Sequence, residues 1–118
     1  MTRGEIWTIA GGTDYAGKPR PAVVLQSDNY DHLESVVVCL FTSDKARAPF
    51  VRIPVFPSLD NGLKRPCWLM VDKISTMPRT KLGSRIGVLD TPTLNELSQA
   101  IITFLNLSGE IRPHTRRR

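Results

Sequence analysis

The chain has 118 residues, with 16 Lys and Arg against 11 Asp and Glu for a formal net charge of +5. That length suits one domain, and 41% hydrophobic residues supply a core, which excludes wholesale disorder. No apolar run approaches the ~20 residues of a membrane span, and the start Met1 to Glu5 lacks the apolar stretch of a signal peptide, so a cytoplasmic protein without a membrane partner is expected.

Gly4 to Ala10 reads as a first strand, followed by a long loop marked by Gly11-Gly12 and Gly17-Lys18-Pro19. Arg20 to Gln26 is a β-branched run that begins where Pro21 is tolerated, and Ser27 to Asp31 is turn chemistry. Glu34 to Phe41 is nearly all apolar, as in a strand covered on both faces, and ends at the polar Thr42-Ser43-Asp44. Phe50 to Phe56 is a strand whose Pro54 implies an edge or a bulge. After the turn Asp60-Asn61-Gly62, Pro66 to Val71 is another buried strand, with short strands over Asp72 to Thr76 and Arg85 to Leu89. Short strands at this spacing predict a mainly β fold, a small barrel or curled sheet.

Thr91-Pro92 then predicts a helix N-terminus, with Thr93 and Glu96 in capping-box register and helix to about Leu107. Leu94, Leu97, Ile101, Phe104 and Leu105 form one stripe, which Ala100, Ile102 and Leu107 widen beyond the ~100° arc of a surface helix. A second covering surface is expected, either another copy of the chain or a loop of the same one.

The charge is unevenly spread. Arg112, Arg116, Arg117 and Arg118 give the tail 112–118 its +4, and nine bases against four acids fall in 44–90, as a polyanion site requires. The reading is one domain over 1–111 with a basic tail that adds sequence-independent affinity. Cys39 and Cys67 lie in apolar runs outside any Cys-x-x-Cys and read as buried free thiols. With only His32 and His114, neither a zinc site nor a two-histidine nuclease centre is expected, and no metal or other cofactor is predicted.

Nucleophile-elbow, P-loop and dinucleotide motifs are absent, which leaves Arg, Lys, Thr, Ser and carboxylates to do any chemistry. Those side chains suffice for phosphoryl transfer within RNA, because ribose supplies its own 2′-hydroxyl nucleophile and an arginine fork stabilises the charged phosphorane. Three points stand out: Gly17-Lys18-Pro19-Arg20-Pro21, Thr42-Ser43-Asp44 and Asp72-Lys73.

With Arg3-Gly4-Glu5-Ile6-Trp7 at the start, Gly-x-x-Arg-Pro before an apolar strand, a strand ending in Thr42-Ser43, and Asp72-Lys73-Ile74 before Thr76, residues 3–107 resemble the MazF/PemK toxins of bacterial type II toxin-antitoxin modules. The resemblance implies an SH3-like barrel of the CcdB/MazF type with a C-terminal α-helix. It implies a homodimeric, metal-independent endoribonuclease that cuts single-stranded RNA to a 2′,3′-cyclic phosphate and a 5′-hydroxyl, arrests growth, and is neutralised by an acidic antitoxin. Arg20, Thr42 and Asp72 are then the expected catalytic residues. The chain departs from the family pattern at Met70, Lys73 and Ser75.

In this scheme Arg20 stabilises the phosphorane, Thr42 and Ser43 hold the scissile phosphate, and Asp72 accepts the 2′-hydroxyl proton. Tyr15, Gly17, Lys18, Lys64 and Lys73 are expected substrate contacts, with Arg65, Lys45 and Arg47 as further loop cations. Each has a plainer alternative: a structural cation for Arg20, a strand-end hydroxyl for Thr42, a turn carboxylate for Asp72. Trp7 and Trp68 sit in apolar strands and read as core. Two other functions compete, a non-catalytic toxin of the same fold that inhibits DNA gyrase and a basic nucleic-acid-binding module. Neither the RNA word cut nor the class of RNA is legible.

Overall fold

The computed structural model describes residues 1–10, 19–44 and 49–109. Six strands, β1 (Glu5–Ile9), β2 (Arg20–Val24), β3 (Ser35–Thr42), β4 (Arg52–Val55), β5 (Cys67–Pro78) and β6 (Leu82–Val88), precede one helix, α1 (Thr91–Phe104). They form one antiparallel sheet in the order β4-β5-β3-β2-β1-β6. β4 is an edge strand, as Pro54 requires.

Alternation along the inner strands divides the apolar residues between two faces. Val23 of β2 with Cys39 and Phe41 of β3 joins Ile6, Leu69, Val71 and the α1 residue Leu97 in one core. Their neighbours Ala22, Val24, Val36 and Val38 join Ile9 in a second. The near-continuous apolar run of β3 is therefore covered on both sides, as its composition predicted.

Two edges of the sheet approach each other through the turn after β4. The Val88 N–H donates to the Asp60 carbonyl at 2.8 Å, and Gly62 adopts φ +69° against β6, where a Cβ would sit 2.0 Å from the Ile86 carbonyl oxygen. That contact curls the sheet toward the small barrel expected, and it leaves only glycine at position 62.

Several boundaries differ from the sequence pattern. The strands expected at Pro66 to Val71 and Asp72 to Thr76 are one strand, β5. It bulges where Cys39 faces Ile74 and Phe41 faces Leu69, so that two steps on β3 span five on β5. The helix is capped by Asp90, not Thr91: its carboxylate accepts from the Thr93 N–H at 3.0 Å and the Thr93 hydroxyl at 2.8 Å. Pro92 consequently falls one residue further into the first turn.

At its other end α1 stops at Phe104, short of Leu107. Asn106 takes φ 57°, and the Leu107 and Asn106 N–H groups return to the Ile102 and Thr103 carbonyls at 2.8 and 3.1 Å, a Schellman closure. Only Leu97 of the apolar stripe is fully buried, and Phe104, Leu105 and Leu107 stay about half exposed. No described part of the same chain covers them.

Candidate active site

Arg20 is the first residue of β2 and Thr42 the last of β3. These strands pair with Val24 opposite Val38 and Ala22 opposite Leu40. The paired steps end at Ala22 and Leu40, so Arg20 and Thr42 lie just beyond them at the adjoining ends of the two strands. Both line a cleft of about 600 Å³, together with Thr8, Phe41, Ser43, Leu63, Lys64, Arg65, Cys67 and Ile86.

Each wall has a local cause. Thr8 arrives through β1, where it pairs with Pro21, and its hydroxyl oxygen accepts from the Ser84 N–H of β6 at 2.9 Å. Lys64 and Arg65 follow a loop organised by the buried Asn61 side chain. Its Oδ1 accepts from the Ser58 and Leu63 N–H groups, both at 3.0 Å, and its Nδ2 donates to the Phe56 carbonyl at 2.9 Å. A residue that reads as ordinary turn chemistry is thus the internal brace of the cationic wall. The Thr42 hydroxyl oxygen accepts from the Asp44 N–H at 3.1 Å, which uses a lone pair and not the hydroxyl proton.

The described charged residues of the lining, Arg20, Lys64 and Arg65, are all basic. Cys67 also lines the cleft, but burial raises its thiol pKa above the ordinary value, so it stays protonated at neutral pH. The two tryptophans fit the plainer reading: Trp7 is half-buried against the second core with its Nε1 donating to Glu5 Oε1 at 3.0 Å, and Trp68 is half-buried in β5.

Asp72 and Lys73 do not join this cleft. Asp72 is bonded to Arg52 of β4, whose side chain is 9% exposed, and both charges act on the buried Cys39 thiol. Burial pushes that thiol up to about 12, with the Asp72 charge adding to the effect. The expected proton-acceptor role of Asp72 thus has a structural rival, since its carboxylate neutralises the nearly enclosed Arg52 guanidinium, and neither Asp72 nor the exposed Lys73 is among the described lining residues of the cleft. Tyr15, Gly17, Lys18, Lys45, Arg47 and the 112–118 tail lie outside the described residues.

The sequence pattern passed over Thr8, whose only route to the site is strand pairing. Among the described residues, no group of three or more His, Cys, Asp or Glu could hold a metal ion, and no helix is long and apolar enough to cross a membrane.

A curled antiparallel sheet with one C-terminal helix and a cationic cleft at the β2–β3 strand ends defines a class of small polyanion-binding proteins. Residues 2–105 match the family model for the PemK-like, MazF-like toxin of type II toxin-antitoxin systems. The chain is 38% identical over 109 residues to a probable endoribonuclease MazF of Mycolicibacterium smegmatis, covering 92% of this chain and 100% of that one. Among solved structures, the Mycobacterium tuberculosis toxin MazF-mt6 superposes with a TM-score of 0.70 at 28% identity, over 86% of this chain and 96% of that one. A mycobacterial endoribonuclease in complex with its cognate antitoxin has the same fold, with a TM-score of 0.72 at 22% identity over 90% and 93% of the two chains. The chain belongs to the PemK-like, MazF-like toxin family.

Proposed function

We propose that this protein is the toxin of a type II toxin-antitoxin system and acts as an endoribonuclease on single-stranded RNA without a metal ion. The observation that carries this reading is that Arg20 and Thr42, at the adjoining ends of β2 and β3, line one cleft whose described charged residues are all basic. A polyanion enters such a cleft readily.

The ribose 2′-oxygen attacks the adjacent phosphorus as the bond to the 5′-oxygen breaks, which leaves a 2′,3′-cyclic phosphate and a 5′-hydroxyl. Two protons move: one leaves the 2′-hydroxyl and one reaches the departing oxygen. Arg20 stabilises the extra charge of the phosphorane and donates to the leaving oxygen. Thr42 and Ser43 donate to the non-bridging oxygens, while Lys64 and Arg65 hold flanking phosphates. None of the described lining residues is assigned the base.

An acidic antitoxin segment suits the same cleft by charge. A second copy of the chain suits the groove of about 430 Å³ that α1 forms with Leu25, Val37 and Ile74, where Ile101, Ile102 and Leu105 await a cover. A cytoplasmic location, one domain over 1–111 and a basic tail complete the proposal. The test is a mixed RNA pool incubated with the protein in EDTA, followed by sequencing of the 5′-hydroxyl ends. Discrete cut sites are expected, and an intact pool would refute the activity.

A further inference from the structure

Among the described residues, Asn61 is the one polar residue buried outright, at 3% exposure. Burying an amide is costly unless its donors and acceptors are met, so such a side chain answers to a specific need. Here its bonds all serve one loop. Oδ1 accepts from the Ser58 and Leu63 N–H groups, Nδ2 donates to the Phe56 carbonyl, and the Asn61 N–H donates to the Ser58 hydroxyl oxygen at 3.1 Å. From outside, Gly87 of β6 admits the loop so closely that a Cβ there would fall 2.3 Å from the Asn61 carbonyl carbon.

This loop leads into Lys64-Arg65, a segment tied at both ends. Just before it, the Leu63 N–H donates to Asn61 Oδ1, and just after it the Cys67 thiol donates to the Arg65 carbonyl at 3.3 Å. Between these ties stand two exposed cations of the cleft lining. A cation on a loose loop must be ordered before it can hold a phosphate, at a cost in backbone and side-chain entropy. A braced backbone removes the first part of that cost before the strand arrives.

We propose, on the reading of the cleft as an RNA site, that Asn61 is a positioning residue for phosphate binding. The buried amide reaches no RNA itself. It fixes the backbone of Lys64 and Arg65 so that both count as phosphate contacts, and it thereby sets the affinity for the strand while the chemical step stays with Arg20 and Thr42.

The test is the salt dependence of binding, measured with a single-stranded deoxythymidine oligomer, which lacks the 2′-hydroxyl and cannot be cut. Each phosphate neutralised on a single strand contributes about 0.7 to the slope of log K against log salt concentration. Lys64→Ala combined with Arg65→Ala should lower that slope by about 1.4. Asn61→Ala removes no charge, yet it should lower the slope by about 1 and weaken binding on the order of tenfold at low salt. In the background without the two cations, Asn61→Ala should change the slope no further. In cleavage of a mapped RNA, Asn61→Ala should raise KM on the order of tenfold and leave kcat within about twofold, the signature of lost uniform binding. Ser58→Ala removes one bond to the loop and spares the buried amide. It should shift the slope in the same direction, and it decides the matter if Asn61→Ala fails to fold. A wild-type slope in folded Asn61→Ala or, failing that, in Ser58→Ala overturns the proposal, because lost stability alone leaves counterion release unchanged. So does a further loss of slope from Asn61→Ala once both cations are gone. An intact RNA pool with the slopes as expected would discard the nuclease and keep the brace, whereas cut RNA with a wild-type slope in Asn61→Ala would do the reverse.

Discussion

Arg20 and Arg52 each begin a strand, β2 and β4, yet the fold uses them differently. Arg20 is half-buried at the mouth of a cleft that it shares with Lys64 and Arg65, without a carboxylate among the described lining residues. Arg52 is nearly enclosed and bonded to Asp72, which leaves its charge neutralised before any ligand arrives. Arg20 thus faces an open cleft with other cations in its lining, whereas Arg52 is held against an acid of the facing strand. Like charges gathered in a cleft cost stability, and a polyanion repays that cost on binding.

Swapping the expected consequences of the two arginines would break this contrast. Arg20→Ala should lower kcat/KM for RNA by on the order of 10²–10³ with the fold intact, the loss typical of one preorganised donor to a charged transition state. Steady-state cleavage of a mapped substrate beside a circular dichroism melt measures both halves of that statement. Arg52→Ala should do the opposite, costing about 3 kcal/mol of unfolding free energy in a urea titration because it strands the Asp72 charge. Asp72→Asn is the sharper probe: it should also lose stability, but a cleavage rate that fell as far as in Arg20→Ala would return Asp72 to the chemistry.

Thr42→Val tests the hydroxyl that shares the cleft with Arg20. Removing one hydroxyl donor to a charged phosphate should reduce kcat about tenfold, with little change in melting temperature. The smallest effect is expected at the exposed carboxylate. Asp90→Ala removes the α1 cap and should cost about 1 kcal/mol. Hydrogen bonds from the Thr93 hydroxyl and then its backbone hold the Asp90 carboxyl below the usual aspartate value. Its contribution is therefore complete above the unfolded-state pKa and is lost as pH falls through the lowered folded value. The gap in melting temperature between wild type and Asp90→Ala should be widest at neutral pH and close in acid. A gap independent of pH would mean that the cap works without its charge.

Much of this was readable in the chain itself. Strand positions followed from β-branched runs bounded by Gly, Pro and Asp, because burial of a pleated face demands that alternation. Arg20 and Thr42 were legible as strand-end polar residues within ordered motifs. The Asp72 pairing was not, since no local pattern announces a three-residue bulge against β3 or the basic neighbour that β4 brings to Asp72. The apolar excess of α1 was legible as a face needing a second cover, but which residues stay open was not, because periodicity reports which side of a helix is apolar and says nothing about how far the supporting sheet extends.

The amino-acid sequence by itself determined the mainly β class, the C-terminal helix and the residue types available for chemistry, because short-range periodicity and capping are local physics. Tertiary structure decided which cations share a cleft. Lys64 meets Arg20 through a turn braced by Asn61 and closed against β6 at Gly62, and Asp72 meets Arg52 through pairing of β4 with β5. Both encounters depend on contacts between segments remote in the chain, and the +5 net charge is silent about either.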